Sequence, residues 1–352
     1  MKKLGATGLL LITTSFLFAQ SKIDKIINAK EVERIEKVLS SDDMRGRRAF
    51  TPDIDKAADF IAGEFKKIGL PGAQAGDKGK SFRQEFAVVR PKQISVTANF
   101  DGNVIDEKDI VVLTCKSDLH VDQNSGFLMT RISSPENLSS GARKFIAANK
   151  NVIVLVDKSL ANVFPRLANL KRSIFKTEKS FIFILADSVP SNFTIDARHE
   201  ISEQPLANVI AVLPGQAKKD EYVIFSAHYD HLGVGRPVNG DSIYNGANDD
   251  AAGTTAVIML AKYFKTLGHN ERTIVFAAFT AEEIGGYGSQ YFSRQFDAGK
   301  VAAMFNIEMI GTESKWGKNS AYITGFEKTD MGTILQKNLQ GTGCTFYPDP
   351  YP

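Results

Sequence analysis

Apolar residues at Ile54, Ala57, Ala58, Ile61, Phe65 and Ile68 fall at helical spacing, and Gly69 follows as a stop signal. The pattern predicts an amphipathic helix over Asp53–Ile68, a core-packing stripe with no chemistry of its own. Short strand-like runs come next: Phe86–Val89, Ile94–Phe100, Ile110–Cys115, Val152–Val156 and Phe181–Ala186, with Leu160–Arg172 read as a helix. Turn-rich links such as Asp101-Gly102-Asn103 separate them. Beyond Ala207 the texture changes. Asn208–Leu213, Tyr222–Ala227, Thr273–Phe279 and Ala302–Ile307 are compact apolar runs suited to strands buried on both faces. Helical segments at Thr254–Leu267 and Ser289–Gln295 lie between them. This alternation predicts an α/β fold with a mostly parallel sheet flanked by helices. Its parts are an N-terminal helical portion over 20–90, an accessory insert over 91–204, and the main domain from 205 to the last residue.

Composition narrows the class. Of 352 residues, 43% are hydrophobic and 24% charged, without a low-complexity tract, which excludes a mainly disordered or fibrous chain. Lys2 and Lys3, then apolar residues from Leu9 to Ile12 and Phe16 to Ala19, read as a signal peptide over 1–19. The expected location is therefore secreted or periplasmic. No cysteine near the cleavage point marks a lipid anchor, and the apolar stretch is too short for a stable membrane span. Removing Lys2 and Lys3 from the 43 basic side chains leaves them nearly balanced against 40 acidic ones, so nothing in the charge favours nucleic acid or a membrane surface. Cys115 and Cys344 are too few for a zinc-thiolate site or a disulfide framework.

The chemistry gathers where apolar runs end. Ser226-Ala227 leads into His228-Tyr229-Asp230-His231-Leu232-Gly233; Gly246-Ala247-Asn248-Asp249-Asp250-Ala251-Ala252-Gly253 opens a helix; Thr280-Ala281 leads into Glu282-Glu283-Ile284-Gly285; and Asn306-Ile307-Glu308-Met309 closes the last run. The first three have plain structural alternatives: a core histidine, a helix N-cap, a solvated turn. The small residues around Asp249 are read as allowing close approach to an ion. Glu308 is read as an acid inside an apolar strand, costly unless paired or metal-bound. Imidazole and carboxylate oxygens at consecutive strand ends form a donor set that suits zinc. Glu282, next to a ligand, is free to act as general base.

These motifs resemble those of the di-zinc exopeptidases that include bacterial leucyl aminopeptidase and glutamate carboxypeptidase. The stretch Ser41–Arg47, with the helix to Gly69-Leu70 and Phe82–Phe86, also resembles that family's opening segment. The resemblance implies a zinc exopeptidase sandwich fold of the phosphorylase/hydrolase type. Two zinc ions are implied, with His228 and Glu308 on one, Glu283 on the other and Asp249 bridging them. Asp230 would orient His228, Glu282 would activate water, and the Asp249–Asp250 peptide bond would be cis. The expected substrates are peptides or proteins with a free N-terminus. The family's second zinc takes one more histidine near the domain's end; His120, His199, His231 and His269 are all read as structural or exposed, so the expectation is a domain lacking its C-terminal part. Residues 150–187 are weakly similar to a protease-associated insert. Two other functions fit the same scaffold: a glutaminyl-cyclase-like single-zinc transferase, and a non-catalytic binding protein. The intact His228-x-Asp230 pair disfavours the first and Glu282 the second.

Overall fold

The computed structural model describes residues 23–348, apart from 77–78, 134–137 and 172. The signal-peptide reading over 1–19 lies outside the described residues. The chain divides into two compact units, Met1–Glu85 with Leu206–Pro352, and Phe86–Pro205.

The elements used below are, in chain order, α1 (Ala29–Leu39), α2 (Pro52–Ile68), β1 (Arg83–Phe100), β2 (Ile110–Leu113), β3 (Asp118–Asp122), β4 (Leu128–Ile132), α3 (Leu138–Ala147), β5 (Val152–Val156) and β6 (Phe181–Leu185). There follow β7 (Phe193–Leu213), β8 (Lys218–His228), the hairpin β9 (Gly233–Val238) and β10 (Asp241–Tyr244), α4 (Ala252–Leu267), β11 (Arg272–Phe279), α5 (Tyr287–Ser293) and β12 (Val301–Asn306).

In the first unit the strands lie in the order β12-β8-β11-β7. The first three are parallel, and β7 pairs antiparallel with β11 through Val209–Leu213. The fold is thus α/β, with a mixed sheet whose parallel part is built from two strand–helix–strand units. Side chains alternate across the sheet. Val209, Ala211, Ala227, Ile274, Phe276 and Ala278 share one core with α1, α2 and α4. Ile210, Ile224, Val275, Ala277 and Phe279 share another with Phe292 of α5. At about 1.5–3 kcal/mol for each large apolar side chain fully buried, the two faces together hold the sheet between its helix layers.

The amphipathic segment predicted over Asp53–Ile68 is α2. Pro52 sits in its first turn, and Gly69 ends it in the left-handed conformation at φ 79°. Glu64 on this helix is nearly buried and takes Arg34 of α1 at 3.1 and 2.6 Å and Lys67 at 2.8 Å.

The second unit is organised around a four-stranded sheet, β2-β6-β5-β4, with β2 antiparallel to β6 and the others parallel. Ile153, Leu155, Ile182 and Ile184 face one core, and Val152, Val154, Phe181 and Phe183 face another that includes Leu138 and Ala142 of α3. Several elements differ from expectation. The runs at Phe86 and Ile94 form one strand, β1, because a proline at 91 suits extended backbone. The helix read over Leu160–Arg172 is not an α-helix over its described part, to Lys171; 3-10 turns occupy Lys158–Leu160 and Phe164–Lys171. β12 is not buried on both faces. It is the last strand in the order, and its residues alternate between half-buried and exposed.

The Arg34 and Lys67 hydrogen bonds hold the Glu64 carboxyl below its ordinary pKa, although burial alone would raise it. A depressed folded-state pKa stabilises the protein above the unfolded value near 4.5 and loses that stabilisation as pH falls through the folded one. Thermal unfolding of Glu64→Ala is expected to show a loss of about 1–2 kcal/mol at pH 7. The gap from wild type should close as the pH is taken well below 4.5.

Candidate active site

The strand order creates the site. From β8 the chain runs through α4 to β11 on one side, then through α5 to β12 on the other. The two helices pack on opposite faces, so a crevice opens at the carboxyl end of β8, where ligands bind in open α/β sheets. His228 is the last residue of β8; Glu282 and Glu283 follow β11, and Glu308 follows β12. Asp249 lies in the turn that opens α4. The segments leave regular structure through left-handed residues: Gly246 at φ 62°, Ala281 at 58° and Met309 at 54°. For Ala281 and Met309 that conformation costs about 1 kcal/mol each, and each adjoins a candidate ligand or base.

Two donor clusters result. One ligand atom each from His228, Asp249 and Glu308 lie within 4.8 Å of one another, and so do those of His231, Asp249 and Glu283. Asp249 belongs to both. His228 Nε2 lies 3.0 Å from Asp249 Oδ1, yet it is buried and makes no hydrogen bond. A buried imidazole nitrogen that makes no hydrogen bond, aimed among carboxylates, is what a metal ligand requires. The donor set therefore fits a pair of zinc ions. Glu308 also accepts a 3.4 Å hydrogen bond from Asn306 Nδ2. The Asp249–Asp250 bond is cis, as the resemblance implied.

The supporting contacts are buried. Asp250 Oδ2 accepts the His228 amide at 3.2 Å, while Oδ1 accepts those of Gly253 at 3.0 Å and Met309 at 3.2 Å. Asp230 accepts the amides of Glu282 at 3.0 Å and Glu283 at 3.3 Å. Asn208, fully buried, bonds Gln84, the Gly288 carbonyl and the Thr280 amide, which sets the turn before Glu282. Thr254 Oγ1 donates to the His228 carbonyl at 2.8 Å.

The carboxylates outnumber nearby positive charge. Burial disfavours a charged His228, but Asp230, Asp250 and Glu282 outweigh it and raise its pKa to about 10. Burial raises Asp250 to about 7 against the pull of His228 and three amides. Glu282 is also raised, first by burial, with His228 opposing and Glu308, Asp230 and Glu283 adding to the shift. Cations bound among these groups would relieve that repulsion.

His228, Asp249, Glu283, Glu308 and Glu282 are thus brought to one crevice. Three points of the sequence reading are refined. Asp230 faces His228 Nδ1 with its carbonyl at 3.1 Å and its carboxylate at 3.7 Å, and the carboxylate also fixes the Glu282-Glu283 turn. Glu308 is exposed beyond the end of β12, not enclosed in a strand, because β12 has no neighbour on its outer side among the described strands. Gly253 makes a close packing contact. A Cβ there would fall 2.2 Å from the Ile307 carbonyl oxygen, so its smallness lets α4 close on the segment after β12. His231, read as structural or exposed, is the residue missed: Nδ1 meets Glu283 Oε1 at 2.6 Å. Its nearness in sequence to His228 and Asp230 was the only signal available.

Residues 208–351 match the profile of Peptidase family M28. A probable zinc metalloprotease of Pyrenophora teres f. teres (strain 0-1) is 34% identical over 139 residues, covering 39% of this chain and 29% of the relative. Leucine aminopeptidase 1 of Sclerotinia sclerotiorum is 30% identical over 168 residues, 44% of this chain and 42% of the relative. This chain thus spans less than half the length of either. Among solved structures, an aminopeptidase from Aneurinibacillus sp. strain AM-1 superposes with a TM-score of 0.49 at 18% identity, over 93% of this chain and 82% of that one. A zinc aminopeptidase from Bacillus subtilis gives 0.48 at 16% identity, over 90% and 78%.

If His231 supplies the imidazole of the second cluster, His231→Ala should weaken binding of one zinc by about tenfold or more, the scale of a lost contact at a metal site, and leave the other in place. Competition with a chromophoric chelator measures this. Two zinc ions held as in wild type would reduce His231 to a hydrogen-bond partner of Glu283.

Proposed function

We propose, from the match of residues 208–351 to the profile of Peptidase family M28 and from the two donor clusters, that this chain carries the two-zinc centre of an aminopeptidase acting on peptides with a free N-terminus. The observation that carries the reading is Asp249, which takes part in both donor clusters as a bridging carboxylate must. The relatives' names, zinc metalloprotease and leucine aminopeptidase, support the reaction class. His228 and Glu308 would hold one ion, Glu283 with His231 the other, and Asp249 both. Bound there, zinc supplies Lewis acidity toward a carbonyl oxygen and makes water a nucleophile at neutral pH.

The chain's own residues provide the rest. Glu282 lines a cavity of about 200 Å³ with His228, Thr280, Ser289, Met304 and Glu308. Its amide is pinned by Asp230, so its carboxylate starts from a fixed backbone position. In this reading Glu282 accepts the proton of the attacking water and hands it to the leaving amine. Phe279 and Met304 add apolar side chains to the cavity wall. The unit Phe86–Pro205 is the accessory insert in this proposal. Lys2, Lys3 and the apolar residues to Ala19 support export. Among the described residues no helix is long and apolar enough to cross a membrane.

Zinc-loaded protein is expected to release p-nitroaniline from an aminoacyl anilide, to leave the N-acetylated anilide intact, and to stop when a chelator is added. Glu282→Gln should lower kcat by about 10²–10⁴-fold while zinc content stays that of wild type. Absence of turnover on every unblocked substrate, at full zinc occupancy, would sink the proposal.

A further inference from the structure

Arg47 has no exposed surface at all, an unusual place for a guanidinium. Its hydrogen bonds go to backbone carbonyls rather than to a carboxylate. Nε donates to the Tyr229 carbonyl at 2.8 Å, Nη1 to those of Leu39 and of Asn245, the latter at 2.6 Å, and Nη2 to that of Gly246 at 2.9 Å. Tyr229 lies between His228 and Asp230; Asn245 and Gly246 lead directly into the turn that carries Asp249. One planar group, remote in sequence from both, therefore holds together two segments that bring ligands to both clusters.

The backbone of the same turn adds to the tie. The carbonyl of Arg47 accepts the His231 amide at 3.3 Å, and that of Gly46 accepts the Gly233 amide at 3.1 Å. Asn245 Nδ2 reaches back to the Ser40 carbonyl at 2.9 Å and to Asp42 Oδ1 at 2.8 Å. Arg45, Gly46 and Arg47 are all left-handed, at φ 46°, 68° and 46°. A Cβ at position 46 would lie 2.4 Å from the Tyr244 carbonyl oxygen, so the turn is pressed against the segment it fixes. Two non-glycine residues keep a disfavoured conformation here, as happens where surrounding contacts over-determine the backbone.

Charge gives Arg47 a second effect. Burial lowers its pKa to about 10, opposed by Asp230, Glu36, Asp250 and Asp249, so it stays a cation at neutral pH. It thereby offsets part of the carboxylate excess before any metal arrives.

We propose that Arg47 is a positioning residue of the metal centre, its forked guanidinium setting the spacing between the His228–His231 segment and the Asp249 turn so that both clusters are formed in advance. This rests on the two-zinc reading above. A lysine would keep the charge but not the fork, since an ammonium cannot address four carbonyls from one plane. The loss on Arg47→Lys should therefore appear in metal binding and ligand geometry, beyond what general destabilisation causes.

The test compares wild-type chain, Arg47→Lys and Ile61→Val, the last a remote core change on α2 that lowers stability without touching the site. All are kept below their unfolding temperatures. Zinc affinity is read by chelator competition, and ligand geometry by the visible absorption of the cobalt-substituted protein. Arg47→Lys is expected to lose tenfold or more in zinc affinity and to alter the cobalt bands, while Ile61→Val matches wild type in both. Zinc affinity within twofold of wild type and an unchanged cobalt spectrum in Arg47→Lys would overturn the inference. Equal losses in Ile61→Val would overturn it too, by making the effect one of stability. Should Arg47→Lys not fold, Asn245→Ala loosens the same tie from outside; a threefold or greater loss is expected, and unchanged affinity and spectrum count against the inference. A wild-type chain that binds no zinc would defeat the metal reading itself, a result distinct from these.

Discussion

The carboxylate of Asp250 is the contact on which the site's geometry depends. With no exposed surface, it accepts amides from the end of β8, the first turn of α4 and the residue after Glu308. These are the places where His228, Asp249 and Glu308 are attached. A buried carboxylate is tolerable only when its lone pairs are satisfied, and three amides do that here. Remove them and the acid is unpaired; remove the acid and three amides of separate segments lose their acceptor. Asp230 repeats the device one strand away, tying the Glu282-Glu283 turn to the end of β8. The acids that face the crevice are thus held by acids that do not.

That division of labour sharpens what sequence could tell. The run Asn248-Asp249-Asp250 admits both a helix cap and a metal ligand, and the structure gives each reading its own residue. Asp250 caps α4 through the Gly253 amide three residues on, and Asp249 faces the crevice. His228, Glu283 and Glu308 were legible because each follows an apolar run at a strand's carboxyl end, and strand ends meet in one place in a parallel sheet. His231 was not, since its placement beside Glu283 depends on a turn that the Gly46–Arg47 backbone holds. Arg47 lay in a segment noticed only by likeness; nothing local in Arg45-Gly46-Arg47 distinguishes the buried guanidinium from the half-exposed one. The exposure of β12 was likewise out of reach, because it depends on what lies beside a strand and not on the strand's own residues.

The electrostatics form a graded arrangement. Closest to the crevice stand His228 and His231 among Asp249, Glu282, Glu283 and Glu308; behind them are Asp230 and Asp250, satisfied by amides; deeper still is the Arg47 cation. Positive charge lies behind the inner carboxylates and the excess negative charge is left facing the crevice. An approaching cation meets an attractive surface already shaped, with little rearrangement of buried dipoles required.

The scatter of the ligands along the chain has a thermodynamic consequence. Residues 228 and 308 meet only when β12, β8 and β11 are aligned and α4 has packed through Gly253 against the segment after β12. An unfolded chain, or one with its sheet half-formed, has no comparable set of donors. Metal affinity and conformational stability are then linked functions: whatever free energy the ions gain on binding is added to the stability of the assembled sheet. A change deep in the layer between α2 and β11 therefore raises the metal concentration needed to keep the protein folded, even though it alters no ligand. Scarcity of metal would in turn be felt as loosening at the strand ends first.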